Sequence, residues 1–169
     1  MTTSEKSIGD IILILSTAKE ADNTYGFTRT IADEESNQIL KSFITIYNVD
    51  NLNEVELAAV VRHEFGHALG FIHEHQSPLN AIKWNRDAVI ADLSGPPNNW
   101  TLDDIEGNML EQPAASEVTG TPVDKTSIMM YPIPQGWTTN GFTAPFNTTL
   151  TDKDTALIRE AYGRQVVTG

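Results

Sequence analysis

Between His63 and His73 the chain reads His-Glu-Phe-Gly-His-Ala-Leu-Gly-Phe-Ile-His, and this run constrains the local backbone more tightly than any other stretch. An α-helix turns 3.6 residues per turn, so His63 and His67, four apart, share a face and can reach one metal ion. Glu64 sits about 100° round that helix. From there it can touch a water on the ion without displacing it. A third imidazole six residues on cannot lie on the same helix, because the helical path carries it off the face and about 9 Å further along. The chain must break and fold back. Gly70 stands where the break is needed, since glycine enters the left-handed conformation without a Cβ penalty. His63, His67 and His73 then form a tetrahedral zinc set with one position open, each nitrogen ~2.0–2.1 Å from the ion.

A start for this helix is visible upstream. Asn53 followed by Glu56 has capping-box spacing, and Val55, Leu57, Ala58, Val60, Val61, Phe65, Ala68 and Leu69 supply a broad apolar surface. The pattern predicts a largely buried helix over residues 54–69 whose ligand face opens into a cleft. A bare His-Glu-x-x-His arises by accident fairly often. Fixing Gly70 and His73 as well makes a chance match on the order of one in ten thousand or rarer. A pair of helical histidines with an adjacent glutamate is the device of zinc peptidases, with the glutamate as general base.

With the downstream run Ser127-Ile128-Met129-Met130-Tyr131, the chain resembles the metzincin zinc endopeptidases, in which the extended histidine motif is followed by a methionine turn. Glu74 directly after His73, and the Ser-x-Met-x-Tyr form of the turn, are similar to astacin-like peptidases. So are Gly70 to Pro78, Leu93 to Trp100 and Tyr131 to Pro134, which look like the bacterial and fungal members of that group. The resemblance spans about residues 40–163. It implies that His63, His67 and His73 bind one catalytic Zn2+ and that Glu64 is the base. It further implies that Met129 forms an apolar floor beneath the metal. Tyr131 would be a displaceable fourth ligand that swings away to hydrogen-bond the oxyanion. Glu74 would be tied to the mature N-terminus, directly or through water. His75 is expected at the surface or behind a ligand.

The implied fold is α+β: a metzincin-like zincin domain with a small mixed twisted sheet and active-site helix above, and an irregular lower half closed by a C-terminal helix. A single catalytic domain over residues 1–169 is expected, shortened at its N-terminus, because the first strand and long backing helix of such domains are not visible. Ile11 to Leu15 reads as a buried strand. Tyr25 to Ile31 and Ile39 to Tyr47 read as two more, and in the last Phe43, Thr45 and Tyr47 alternate with Ile44 and Ile46. Trp84 to Leu93 and Thr101 to Gln112 read as short helices, the second with Thr101 and Asp104 at capping spacing. A final helix, residues 152–162, is capped by Thr151 and Asp154, buries Leu157, Ile158 and Ala161, and stops at Gly163.

Eleven basic against 23 acidic residues give a formal net charge of −12, which argues against nucleic-acid or anionic-membrane partners. No apolar run approaches the ~18–20 residues that a membrane-spanning helix requires. The chain has no cysteine, and a hydrolysis through activated water needs none. Asp33-Glu34-Glu35 is acidic enough for calcium but has no recognisable ligand loop, so a solvated turn is expected. The expected function is a zinc endopeptidase, monomeric and extracellular by resemblance, acting on protein or peptide substrates laid along the edge of Tyr25 to Ile31. Two rivals stand beside it: a latent or truncated peptidase of low activity, and a non-catalytic zinc module that binds partners. Structural zinc sites are usually closed by four protein ligands, which three histidines and a free glutamate do not match.

Overall fold

The computed structural model describes residues 10–20, 24–33, 35, 39–116, 118 and 122–163. Three strands, β1 (Asp10–Leu15), β2 (Gly26–Ala32) and β3 (Ile39–Ile46), form one sheet in the order β1-β3-β2, with β1 parallel and β2 antiparallel to β3. The sheet is therefore small and mixed, as expected. Register places Leu13 and Thr28 on either side of Ile44, and Ile14 and Phe27 on either side of Thr45. Residues two apart share a face, so Ser42, Ile44 and Ile46 all point one way and all are buried.

Helix α1 (Glu54–Ala68) covers that face, packing Leu57, Val60, Val61, Phe65 and Ala68 against Ile44 and Ile46. It begins at the expected capping box. The Asn53 side chain accepts from the Val55 and Glu56 amides at 3.0 Å, and Glu56 accepts from the Asn53 amide at 3.0 Å. It ends as the glycine requires: Gly70 has φ 86°, its N–H donates to the His67 carbonyl at 2.8 Å, and the Phe71 N–H donates to the Gly66 carbonyl at 3.0 Å. That pair of bonds is a Schellman close, which turns the chain back under its own helix.

Below α1 the chain is irregular, with α2 (Arg86–Leu93), α3 (Leu102–Ile105) and α4 (Asp152–Tyr162). Two apolar clusters organise it, Val89, Leu93, Ile105, Met109 and Leu110 in one, and Ile82, Met130, Ile133 and Ala144 in the other. Ile133 lies buried in the second of these.

Several expectations need correction. β1 is a strand but not a buried one, with Leu13 43% and Leu15 57% exposed. Among the described residues it has a neighbour on one edge only, and α1 sits over β2 and β3. The helix expected over Thr101 to Gln112 keeps its Thr101–Asp104 capping box but passes after Ile105 into a π-helical turn, Glu106–Leu110. In α4 Ala161 is exposed, while Leu157 and Ile158 are half-buried and face a cavity of about 280 Å³ between α4, α1 and Met129. Of the acidic turn at residues 33–35, Glu34 lies outside the described residues, and the one group of metal-donor side chains found among the described residues is the histidine set. No helix among the described residues is long and apolar enough to cross a membrane.

Candidate metal centre

His63 and His67 project from one face of α1, and the turn at Gly70 returns His73 to meet them. Donor nitrogens of all three lie within 4.8 Å of one another. The Nε2 atom of His67 is 3.1 Å from Nε2 of both His63 and His73.

Each ring is aimed from behind. The Nδ1–H of His63 donates to the Ile128 carbonyl at 2.8 Å, and that of His67 donates to the Phe71 carbonyl at 2.8 Å. His73 Nδ1 lies 3.1 Å from Gln76 Oε1. The Gln76 amide is itself oriented, because its Nε2 donates to the Gly107 and Glu111 carbonyls at 2.7 and 3.2 Å. An acceptor at every Nδ1 places the single proton of each neutral imidazole there and leaves three Nε2 lone pairs converging on one point.

Lone pairs about 3 Å apart, as that of His67 is from the other two, repel unless a cation lies between them. A tetrahedral zinc with ~2.0–2.1 Å bonds would hold its nitrogens roughly 3.3–3.4 Å apart, close to the spacing found. Protonation is a poor substitute, since burial lowers the pKa of all three rings, that of His63 to about 4 and that of His73 well below its usual value. The donor set therefore fits zinc: three nitrogen ligands, uncharged at neutral pH.

Glu64 is 5% exposed, and burial raises its carboxyl to about 7, against a smaller downward pull from Thr28. Tyr131 packs its ring against the same histidines, with centroids 5.6 Å from His63 and 4.3 Å from His73. Burial, and then the neighbouring Glu64 charge, push its phenol above the usual range and keep it protonated. Met129 is buried in the turn beneath α1, its sulfur lying where a Cβ on Gly66 would fall. The sequence thus brings His63, Glu64, His67, His73 and Tyr131 together, with Met129 behind.

Glu74 accepts from the Asp124 amide at 2.7 Å; the N-terminal residues expected to meet it lie outside those described. His75 is not at the surface. It is 0% exposed, stacks on His73 at 5.2 Å and donates through Nε2 to the Asn108 carbonyl at 2.9 Å.

Four residues that hold this site escaped the sequence reading. Asp154, beyond capping α4, accepts from Ser127 Oγ at 2.6 Å and from the Ile128 amide at 3.1 Å, fixing the turn whose carbonyl aims His63. Gln76 aims His73. Gly26 and Thr28 of β2 lie against Glu64. One sequence signal was available for this pair: an isolated glycine in a strand marks a close approach.

Known proteins carry the same arrangement of chain. The family model described as Astacin, a peptidase family, matches residues 52–165. A solved structure described as "Structure of myroilysin" is 27% identical, with a TM-score of 0.72 over 98% of this chain and 77% of that one. A second, "Crystal structure of myroilysin", is 28% identical over 96% of this chain and 69% of that one, with a TM-score of 0.49. A search of curated proteins returns no match.

Proposed function

The chain belongs to the astacin family of peptidases, and from that premise we propose that it is a zinc-dependent endopeptidase with Glu64 as its general base. The observation that carries the reading is the convergence of three Nε2 lone pairs beside a buried carboxylate. His63, His67 and His73 would hold the ion. When bound, zinc supplies Lewis acidity, polarising the scissile carbonyl and making a nearby water acidic.

The chain's own groups do the rest. Glu64 takes a proton from the attacking water at its carboxylate and passes it to the leaving amine nitrogen. Its position suits that exchange, because it is buried beside the histidines with one oxygen held by Thr28. Tyr131, kept as a neutral phenol, donates to the oxyanion that grows on the scissile carbonyl; standing among the histidines, it is also the candidate displaceable ligand. Met129 closes the site from below with an apolar surface that admits no competing ligand.

The substrate lies extended along the edge of β2 that has no strand partner among the described residues, as an added strand beside Glu64. Protein or peptide substrates, a single catalytic domain, a monomer and an extracellular location complete the reading.

A peptide-library digest tests it. Cleavage that a chelator abolishes and zinc restores is the expected result. No cleavage by the zinc-loaded protein, or cleavage indifferent to chelation, would overturn it.

A further inference from the structure

β2 crosses the front of α1 with Gly26 and Thr28, two residues apart on one face, turned toward Glu64. The Thr28 hydroxyl lies 2.6 Å from Glu64 Oε2 and 3.0 Å from the Glu64 carbonyl oxygen. It has one proton to give, and the shorter, charge-assisted bond to the carboxylate takes it. On the other side, a Cβ built on Gly26 would fall 2.5 Å from Glu64 Oε1, 2.7 Å from Cγ and 2.8 Å from Cδ. Any side chain there would push the Glu64 carboxyl out of its place. The carboxylate therefore lies flat against bare backbone, with one oxygen held by a hydroxyl.

A glutamate has three side-chain torsions, and a base that samples them spends part of its time out of reach of the water it must deprotonate. We propose that Gly26 and Thr28 are positioning residues for the peptidase reaction, together forming a slot that sets the Glu64 carboxylate. The inference rests on the peptidase reading and deepens it. The slot is part of the strand along which substrate lies, so the base is registered to the same backbone that registers the scissile bond. A purely structural Thr28, satisfying a buried carboxylate and nothing more, would affect stability but not selectively the chemical step.

The experiment compares zinc-loaded wild type with Thr28→Val, Thr28→Ser and Gly26→Ala. Zinc content, kcat, KM and the Kd of a peptide hydroxamate, whose N–OH proton must be taken by the same carboxylate, are measured for each. Misplacing a catalytic group by about 1 Å can cost about 100-fold. Thr28→Val should therefore keep one zinc and a KM within about twofold while losing about 10- to 100-fold in kcat. Hydroxamate affinity should fall with it, and Thr28→Ser, which keeps the hydroxyl, should restore both. Gly26→Ala should show the same kcat-selective loss, and it decides the matter if Thr28→Val does not fold.

Wild-type kcat and hydroxamate affinity in Thr28→Val would overturn the proposal. So would Thr28→Ser being as impaired as Thr28→Val, which would assign the loss to packing. A wild type that binds the hydroxamate yet cleaves nothing would end the peptidase reading, while the hydroxamate series still decides the role of the slot.

Discussion

Replacing Glu64 with Gln should make the metal-free protein more stable while abolishing peptide cleavage. Burial raises this carboxyl from 4.5 to about 7. The folded state therefore holds a proton that the unfolded chain has released between those values. The sign follows from linkage: with the folded pKa raised, the stability that the protonated group contributes is present below about pH 4.5 and lost as pH rises through about 7. Above that, the fold carries an ionised carboxylate in a desolvated site. Two and a half pK units correspond to about 3 kcal/mol. This is an upper bound, since the amide also costs something to bury, although its oxygen can still accept from Thr28.

For a chain of this size ~1 kcal/mol moves Tm by roughly 2–4 °C, so Glu64→Gln should melt several degrees above wild type at about pH 8.5. The gap should nearly vanish at about pH 4.5. The histidines titrate in the opposite sense: with folded pKa values lowered by burial, they weaken the fold as pH falls below 6.5. They are common to both proteins, so they cancel in the difference. The assay is calorimetric melting of chelator-treated protein across pH, with zinc restored for the cleavage measurement. Equal melting temperatures at high pH, or a gap that does not change with pH, would refute the reasoning.

Asp154→Ala leaves the Ser127 hydroxyl and the Ile128 and Thr151 amides without their acceptor. It should cost about 2–6 kcal/mol, at about 1–3 kcal/mol for each of the Ser127 and Ile128 donors left buried. Because the Ile128 carbonyl aims His63, zinc affinity by chelator competition should fall about 10- to 100-fold as well; lost stability with unchanged affinity would break that link. Gly66→Ala puts a methyl group into the Met129 sulfur and should destabilise by about 1–3 kcal/mol. Met129→Ala in the same background should relieve part of that strain, so a double-mutant melting cycle should be clearly non-additive; additivity would show that the two do not touch.

What could be read from the sequence was what is written locally. The Asn53–Glu56 box, the four-residue histidine spacing and Gly70 each act through neighbours within a turn or two, and the helix, its cap and its exit follow from them. Burial of Ile11 to Leu15 was not legible, because an apolar run looks the same whether or not a layer covers it. The π-helical turn was hidden for another reason: residues 101–112 keep a helical pattern throughout. The carbonyls at Gly107, Asn108 and Glu111 accept from His75 and Gln76, some thirty residues earlier in the chain. The Gly26–Thr28 slot joins residues 36 apart, and Asp154 looked like nothing more than a helix cap.

The carbonyl that aims His63 comes 65 residues after it, and the carboxylate that steadies that carbonyl's turn comes 26 later still. A chain grown only as far as His73 already owns every nitrogen it needs, yet it lacks the carbonyl that aims His63 and the carbonyls that orient the Gln76 beside His73. A chain cut before residue 154 should therefore hold zinc more weakly than the full one, a difference that chelator competition would read.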